Sequence, residues 1–230
     1  NSQKDGIELA GANTRIDNVT ITGSKYTGIR VSNGMLKITN STISGSELEG
    51  IRAGMGATLD MNSVSITNNQ NDGVSLWGAK AEINNSTITG STNAGIRLNN
   101  GFLSINNSTI SGSLKEGIVI VRGSSANISN STISNNTKDG IEIKRNSHVM
   151  VKNTTVSSNG DDGIHVSRYS YLDLRNTTIS NNSSNGIRVD RNATVDINDD
   201  GGTSSSSPTT IQSNGDNGIN AYAYALIEID

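Results

Sequence analysis

The sequence predicts an all-β protein whose short parallel strands stack as a solenoid of about ten coils, each of 22–23 residues. Three observations predict it: a glycine recurs at a nearly constant interval, three apolar segments follow each glycine, and polar turn residues separate those segments. Within each segment, apolar and polar side chains alternate with the period of a β-strand. Three strands in so short a repeat leave no room for a crossover helix, so each coil must pair with its neighbours.

The repeated glycine marks the start of each coil, and Ile or Val follows it. These glycines are Gly6, Gly28, Gly50, Gly73, Gly95, Gly117, Gly140, Gly163, Gly186 and Gly218. The first eight intervals between them are 22 or 23 residues, and the ninth is 32 because of an insertion. We therefore interpret residues 1–230 as a single domain.

Each strand of the coil contributes one inward-facing column of apolar side chains. The column of the first strand is Ile7, Ile29, Ile51, Val74, Ile96, Ile118, Ile141, Ile164, Ile187 and Ile219. The column of the second strand is Ile16, Ile38, Met61, Ile83, Ile105, Ile128, Val151, Leu174, Ile197 and Ile229. The column of the third strand is Ile21, Ile43, Ile66, Ile88, Ile110, Ile133, Val156, Ile179 and Ile211. No position in these columns is polar, so stacking gives a continuous core although only 32% of the residues are hydrophobic.

Asparagine and serine occupy two of the turns at fixed places. An asparagine precedes the third strand at Asn18, Asn40, Asn85, Asn107, Asn130, Asn153 and Asn176. A Ser or Asn column follows that strand at Ser24, Ser46, Asn69, Ser91, Ser113, Asn136, Asn159, Asn182 and Asn214. Asparagine tolerates left-handed backbone and can hydrogen-bond to its copy one coil away, so both columns favour a stacked solenoid.

This pattern resembles the parallel β-helix repeat of the pectate-lyase-like superfamily, which carries an asparagine ladder between its second and third strands. The resemblance covers residues 5–230 and implies a right-handed parallel β-helix, in agreement with the general handedness of parallel crossovers. The superfamily includes carbohydrate lyases, hydrolases and epimerases, phage tailspikes, and passenger domains of bacterial autotransporter adhesins. Because its coils are regular, this chain looks most like the passenger domains.

One coil carries an extra polar segment at about residues 198–208. It is rich in Asp, Gly and Ser and ends at Pro208. Such a composition predicts a surface loop.

Charge and composition exclude several classes of function. The net charge of −3 gives no electrostatic reason to expect a nucleic-acid partner. No apolar run has the length of a membrane span, so we expect no membrane insertion of this segment. The absence of cysteine excludes disulfides and thiolate metal sites.

The outward face of the first strands carries the first group of candidate ligands, and the resemblance implies that enzymes of the superfamily act along this face. Four arginines recur every 23 residues just after the first strand and should stack at about 4.8 Å: Arg122, Arg145, Arg168 and Arg191. Guanidinium groups in such a row would suit a sulfated or carboxylated glycan through bidentate contacts. Arg188, His165 and Lys144 stand beside the row and complete this predicted site.

The alternative interpretation of the same arginines is that they are ordinary solvated turn residues. Glu142, Asp162 and Asp190 lie nearby in sequence register and would balance part of their charge. Like charges stacked so closely repel one another, although solvent and salt weaken the repulsion.

An acidic column precedes the repeated glycine and raises the question of catalysis. It includes Asp5, Glu49, Asp72, Glu116, Asp139 and Asp162. The segment Asp161-Asp162-Gly163-Ile164-His165 resembles the paired-aspartate segment of polygalacturonases, but the Gly-His-Gly and Arg-Ile-Lys segments of that family are absent. Short, uniform coils also build no walls for a cleft, so the sequence favours a non-catalytic role.

The same column bears on metal binding. Asp139 and Asp162 could share a calcium ion, but oxygen ligands at two positions are too few. We therefore expect no cofactor.

The outward face of the third strand is a candidate ice-binding surface. It carries a row of threonines that includes Thr20, Thr42, Thr87, Thr109, Thr132, Thr155 and Thr178, beside a second row of mostly Ser and Thr. The double row resembles that of β-helical ice-binding proteins. Threonine also has high strand propensity and pairs with threonine on the next strand, which is the structural alternative.

Together these patterns predict a non-catalytic segment of a bacterial surface or secreted adhesin, extracellular or at the cell surface. Its partner would be a polysaccharide, such as an anionic host or matrix glycan, or a second copy of the chain. An ice-binding protein and a polysaccharide lyase or hydrolase acting on uronates are the two alternatives.

Overall fold

Strands of successive coils pair in parallel and in register throughout the computed structural model, which describes residues 4–198 and 208–230. Ile7 pairs with Ile29, for example, and Ile96 pairs with both Val74 and Ile118. The all-β solenoid predicted from the sequence is therefore confirmed. The predicted surface loop at about 198–208 lies, apart from its two end residues, outside the described residues.

Three sheets run along the solenoid, one for each strand of the coil. Two long strands contribute to both sheet 1 and sheet 2: Ile7–Asp17 and Ile29–Thr39. The other strands of sheet 1 are Ile51–Ala53, Val74–Trp77, Ile96–Asn99, Ile118–Val121, Ile141–Lys144, Ile164–Ser167, Ile187–Asp190 and Ile219–Ala221. The other strands of sheet 2 are Ala57–Asn62, Lys80–Asn84, Phe102–Asn106, Ser125–Ser129, His148–Lys152, Tyr171–Arg175, Thr194–Asn198 and Leu226–Ile229. The strands of sheet 3 are Thr20–Thr22, Thr42–Ser44, Ser65–Thr67, Thr87–Thr89, Thr109–Ser111, Thr132–Ser134, Thr155–Ser157, Thr178–Ser180 and Thr210–Gln212.

The predicted inward columns form the core. Ile29, Ile105 and Ile133 have no exposed surface or almost none, as is true of nearly every member from the second coil to the ninth. In the coils at either end Ile7, Ile21, Ile211 and Ile219 are only partly buried, because one side lacks a neighbouring coil. Stacked Ile and Val side chains thus hold the coils in register, since a one-residue slip would turn every one of them outward.

The two asparagine columns have different surroundings. Those before sheet 3 are left-handed and mostly exposed, as Asn130 (φ 49°) and Asn153 (φ 49°) show. The continuous buried ladder lies instead in the turn after sheet 3. There the Asn136 side-chain amide donates to Asn159 Oδ1 at 3.0 Å, and the Asn159 amide donates to Asn182 Oδ1 at 2.9 Å.

The described part of the chain, 4–198 with 208–230, contains no helix with the length and apolar character that a bilayer crossing needs.

Candidate functional site

The four arginines after sheet 1 stack one coil apart, as the sequence predicts, and we call Arg122, Arg145, Arg168 and Arg191 the arginine row. Backbone bonds fix their register: the N–H of Gly123 donates to Arg145 O at 2.9 Å, and that of Asn146 donates to Arg168 O at 3.1 Å. All four side chains are exposed. The spacing along the row is therefore that of the strands, about 4.8 Å.

Every arginine of the row has left-handed backbone. The φ angles are 61° at Arg122, 62° at Arg145, 57° at Arg168 and 53° at Arg191, and the residue after each is left-handed too. Two coils earlier the same place holds Gly78 (φ 63°), followed by Asn100 (φ 52°), residue types that adopt this conformation easily. These positions therefore do not need arginine for their backbone conformation, which glycine and asparagine adopt more easily.

The other cations of sheet 1 are engaged by the acidic column. The side chain of Asp72 is 4% exposed and accepts a hydrogen bond from Arg97 Nε at 2.9 Å across one coil. Burial raises the pKa of Asp72 even though Arg97 lowers it. In the same way, one coil apart, Arg188 lies 3.9 Å from the Asp162 carboxylate. These pairs balance buried carboxylates and belong to the fold.

The predicted site residues therefore fall into two groups. Lys144 Nζ donates to Glu142 Oε1 at 2.6 Å, and Arg188 and His165 likewise contact carboxylates of the chain itself. Arg145 and Arg168 differ, because their side chains form neither an ion pair nor a hydrogen bond with the described residues. Sequence register alone could not separate the two groups.

His165 lies at the centre of a polar cluster. Its Nε2 is 3.2 Å from Asp190 Oδ2 and its Nδ1 is 3.7 Å from Asp139 Oδ2. Burial alone would lower the pKa of His165, but contact with Asp139 and the charge of that carboxylate outweigh burial and raise it above its ordinary value. Tyr222 donates to Asp190 Oδ2 at 3.1 Å and accepts from Arg188 Nε at 2.9 Å. Both imidazole nitrogens thus face carboxylates of the chain.

Carboxylates gather more closely here than the sequence suggested. Asp139, Asp161 and Asp162 each place an oxygen within 4.8 Å of the others, so three positions meet where we counted two. Burial, followed by the charges of Asp139 and Asp162, raises the pKa of Asp161. The third carboxylate is that of Asp161, which lies in the turn before the repeated glycine. The side chain of Asp161 is exposed, and the residue was not assigned to the acidic column.

A groove with an aromatic side chain lies where the arginine row begins, and it was not among the sites predicted from the sequence. Trp77 is 40% exposed, and the Arg122 guanidinium carbon lies 6.0 Å from its ring centroid. The position of Trp77 could have been recognised from the sequence, because it is the last residue of its sheet 1 strand, where it pairs with Asn99. The arginine in the turn two coils on reaches back to the indole, and sequence spacing does not show such a contact.

The threonine face consists of three-residue strands in register, for instance Thr109 with Thr87 and Thr132. Thr87 is exposed, whereas Thr109 and Thr132 are half-buried. Ice binding by this face stays a prediction.

Comparison with known proteins adds the fold relationship. A search of curated proteins found no match. Among solved structures, a mutant of the periplasmic alginate epimerase AlgG is 14% identical with a TM-score of 0.71, over 96% of this chain and 61% of that one. The enzymatically active domain of tailspike protein 2 of bacteriophage CBA120 is 12% identical with a TM-score of 0.64, over 96% and 39%. The mannuronan C-5 epimerase AlgE6 A-module of Azotobacter vinelandii is 13% identical with a TM-score of 0.54, over 98% and 83%.

The chain thus spans less than two thirds of the first two of these structures, and at such identities the likeness concerns the fold. The sequence itself matches the model of the right handed beta helix region over residues 1–77 and 72–230. That match covers the whole chain and agrees with the handedness expected of its coils. The chain belongs to the right-handed beta helix family.

Proposed function

We propose that this chain binds an acidic polysaccharide along the arginine row, as a non-catalytic segment of a secreted or surface-exposed bacterial adhesin. The observation that carries the proposal is the row itself: four exposed arginines at equal spacing, in a backbone conformation that arginine adopts only at a cost. Arg145 and Arg168 have no carboxylate partner among the described residues and are available to a ligand.

The geometry suits a polymer better than a single small anion. Planar guanidinium groups form paired hydrogen bonds with carboxylates or sulfates. A row with one such group per coil, held by strand pairing, presents several of these contacts along the solenoid axis. Each added contact becomes intramolecular once the first has formed, which raises the overall affinity without a deep pocket.

The names of the structural neighbours are compatible with this proposal. They include epimerases of alginate and mannuronan, a phage tailspike and a pectate lyase. One is described as periplasmic, in keeping with an exported protein. The proposal for this chain depends on its own arginines.

The test is a glycan array probed at low and at physiological salt. We compare the wild type with Arg145→Ala/Arg168→Ala and with a control, Arg15→Ala/Lys25→Ala, that removes the same charge from exposed positions far from the row. The wild type and the control should bind uronate-containing or sulfated glycans in a salt-sensitive manner. The arginine-row variant should lose this binding.

Equal binding by both double variants would mean that net charge and not the row attracts the glycan. Absence of glycan binding at either salt would reject the proposal. Concentration-dependent association in sedimentation would then favour self-association.

A second candidate function is lyase cleavage or epimerisation of a uronate polymer, and the cluster around His165 favours it. Arg188 and Tyr222 are hydrogen-bonded to each other beside Asp190, on the same face as the arginine row. Proton abstraction next to a uronate carboxylate requires a base and a nearby cation that neutralises the carboxylate. Tyr222 is the candidate base and Arg188 the candidate cation. Incubation with pectate, alginate and glucuronan decides the matter: unsaturated or inverted products that Tyr222→Phe no longer forms would establish the activity, and unchanged polymer would exclude it.

A further inference from the structure

Two grooves adjoin each other at the start of the arginine row. One has a volume of about 470 Å³ and is lined by Arg52, Met55, Trp77, Gly78, Asn99, Asn100 and Arg122. The other has a volume of about 380 Å³ and is lined by Trp77, Arg97, Asn99, Val121, Arg122, Lys144 and Arg145. Both share Trp77, Asn99 and Arg122, so these three side chains form the boundary between them.

Trp77 presents an apolar face that is held in place. Its indole N–H donates to Ser75 Oγ at 3.1 Å, which satisfies the polar atom of the ring and orients it. Arg122 approaches the ring from the coil two further on, and Trp77 stays 40% exposed. An exposed indole fixed in this way offers a flat surface for stacking.

Asn99 supplies the polar contact that a sugar ring needs. The residue is only 6% exposed and lines both grooves. Its side-chain amide makes no hydrogen bond with the described residues, so both polar atoms of the amide are available to a ligand in the grooves. Because the amide both donates and accepts, it matches a sugar hydroxyl.

The charge of the grooves selects an anion. Their described lining contains four arginines and one lysine and no carboxylate. Arg97 and Lys144 are partly balanced by Asp72 and Glu142, whereas Arg145 has no such partner. A ligand that stacks on Trp77 therefore meets uncompensated positive charge on the side where the row continues.

We propose that this pair of grooves is a subsite for one pyranose ring of an acidic sugar. The ring stacks on Trp77, a hydroxyl bonds to Asn99, and the carboxylate lies against Arg122 and Arg145. The inference rests on the proposed function, since the subsite shares Arg122 with the row. It adds that the site recognises the sugar ring and not charge alone, and that the polymer runs from Trp77 towards Arg191.

The chain provides its own reporter for the test, because Trp77 is its one tryptophan. We titrate the wild type with tetragalacturonate, tetramannuronate and tetraglucuronate, and with polyacrylate as a polyanion without rings. Emission of Trp77 and calorimetry are followed in parallel. At least one uronate should shift the emission with the same midpoint as the heat, whereas polyacrylate should bind without that shift.

Two variants complete the design. Trp77→Ala should weaken uronate binding about tenfold and leave polyacrylate binding unchanged, while Trp77→Phe should restore most of the uronate affinity. The side chain points outward, so both variants should keep the thermal unfolding midpoint of the wild type, and that midpoint is the folding control.

The outcomes separate the two proposals. If uronates bind by calorimetry but Trp77 emission does not change, or if Trp77→Ala binds them as tightly as the wild type, the subsite is refuted and the arginine row stands. If Trp77→Ala weakens polyacrylate equally, recognition of the ring is refuted. If neither uronates nor polyacrylate bind, the proposed function fails and the subsite fails with it.

Discussion

Replacing two arginines of the row by glycine should stabilise the protein while it abolishes binding. Arg145 and Arg168 have φ angles of 62° and 57°, and left-handed backbone costs an L-residue about 1–2 kcal/mol. Glycine removes that strain but loses about 0.5–1 kcal/mol through the greater freedom of the unfolded chain. Two like charges about 4.8 Å apart also repel by roughly 0.9 kcal/mol in water before salt screens them. Arg145→Gly/Arg168→Gly should therefore gain about 1–2 kcal/mol in unfolding free energy.

The matched control is Arg145→Ala/Arg168→Ala, which removes the same charges but keeps a Cβ in the left-handed conformation. Urea denaturation at low and at physiological salt separates strain from charge repulsion, because only the repulsion responds to salt. The glycine variant should be the more stable of the two by about 1 kcal/mol at both salts. If the glycine variant is less stable than the alanine variant, the left-handed backbone is not strained at these positions and our reasoning about the arginine row is wrong.

Three further predictions concern the fold and its charges. Ser113 Oγ is buried at the end of the asparagine ladder and has no hydrogen-bond partner in the described part of the chain. Ser113→Asn should therefore extend the ladder and raise the unfolding free energy by about 1 kcal/mol in urea denaturation. Contact with Asp139 outweighs burial and raises the pKa of His165 in the folded protein. The protonated imidazole therefore stabilises the fold fully below the ordinary pKa of 6.5, and this stabilisation is lost as the pH rises through the pKa of the folded state. The urea midpoint should therefore fall between pH 6 and pH 9 in the wild type, and a fall of equal size in His165→Asn would contradict this. A Cβ on Gly140 would lie 2.6 Å from a carbonyl oxygen one coil away, whereas a Cβ on Gly123 would meet nothing within 4 Å. Gly140→Ala should therefore lower the free energy of unfolding by about 3 kcal/mol and Gly123→Ala by only about 1 kcal/mol, as measured by thermal unfolding.

The core could be predicted from the sequence because one rule governs it. Each inward position faces its copy one coil away. A repeat of 22 or 23 residues and a period of two along each strand therefore predict that Ile105 pairs with Ile83 and Ile128. The stacking of the arginine row follows from the same register. These features depend on backbone spacing alone and need no knowledge of side-chain conformation.

The charge pairs could not be predicted, because they depend on how far side chains reach. Arg97 pairs with Asp72, which is 25 residues earlier and in a different column. Arg122 reaches back to Trp77, which lies two coils earlier, in a similar way. Sequence register places these residues on one face, but the rotamers decide which cations are neutralised and where a groove forms. For this reason the sequence grouped Arg188 with Arg145, and the structure separates them.

The contrast between these two kinds of cation is the reason to assign function to the turn and not to the strand. Arg97 and Arg188 are paired with buried acids, and those pairs would be needed whether or not a ligand exists. Arg145 forms no ion pair with the residues that the structure describes, and it occupies a conformation that glycine or asparagine would adopt at lower cost. The row recurs through four coils against both local preference and charge repulsion, and for Arg145 and Arg168 no ion pair or hydrogen bond with the described residues accounts for it. Because strand pairing fixes the spacing of the row, a ligand would meet it already ordered, and little conformational entropy would oppose binding.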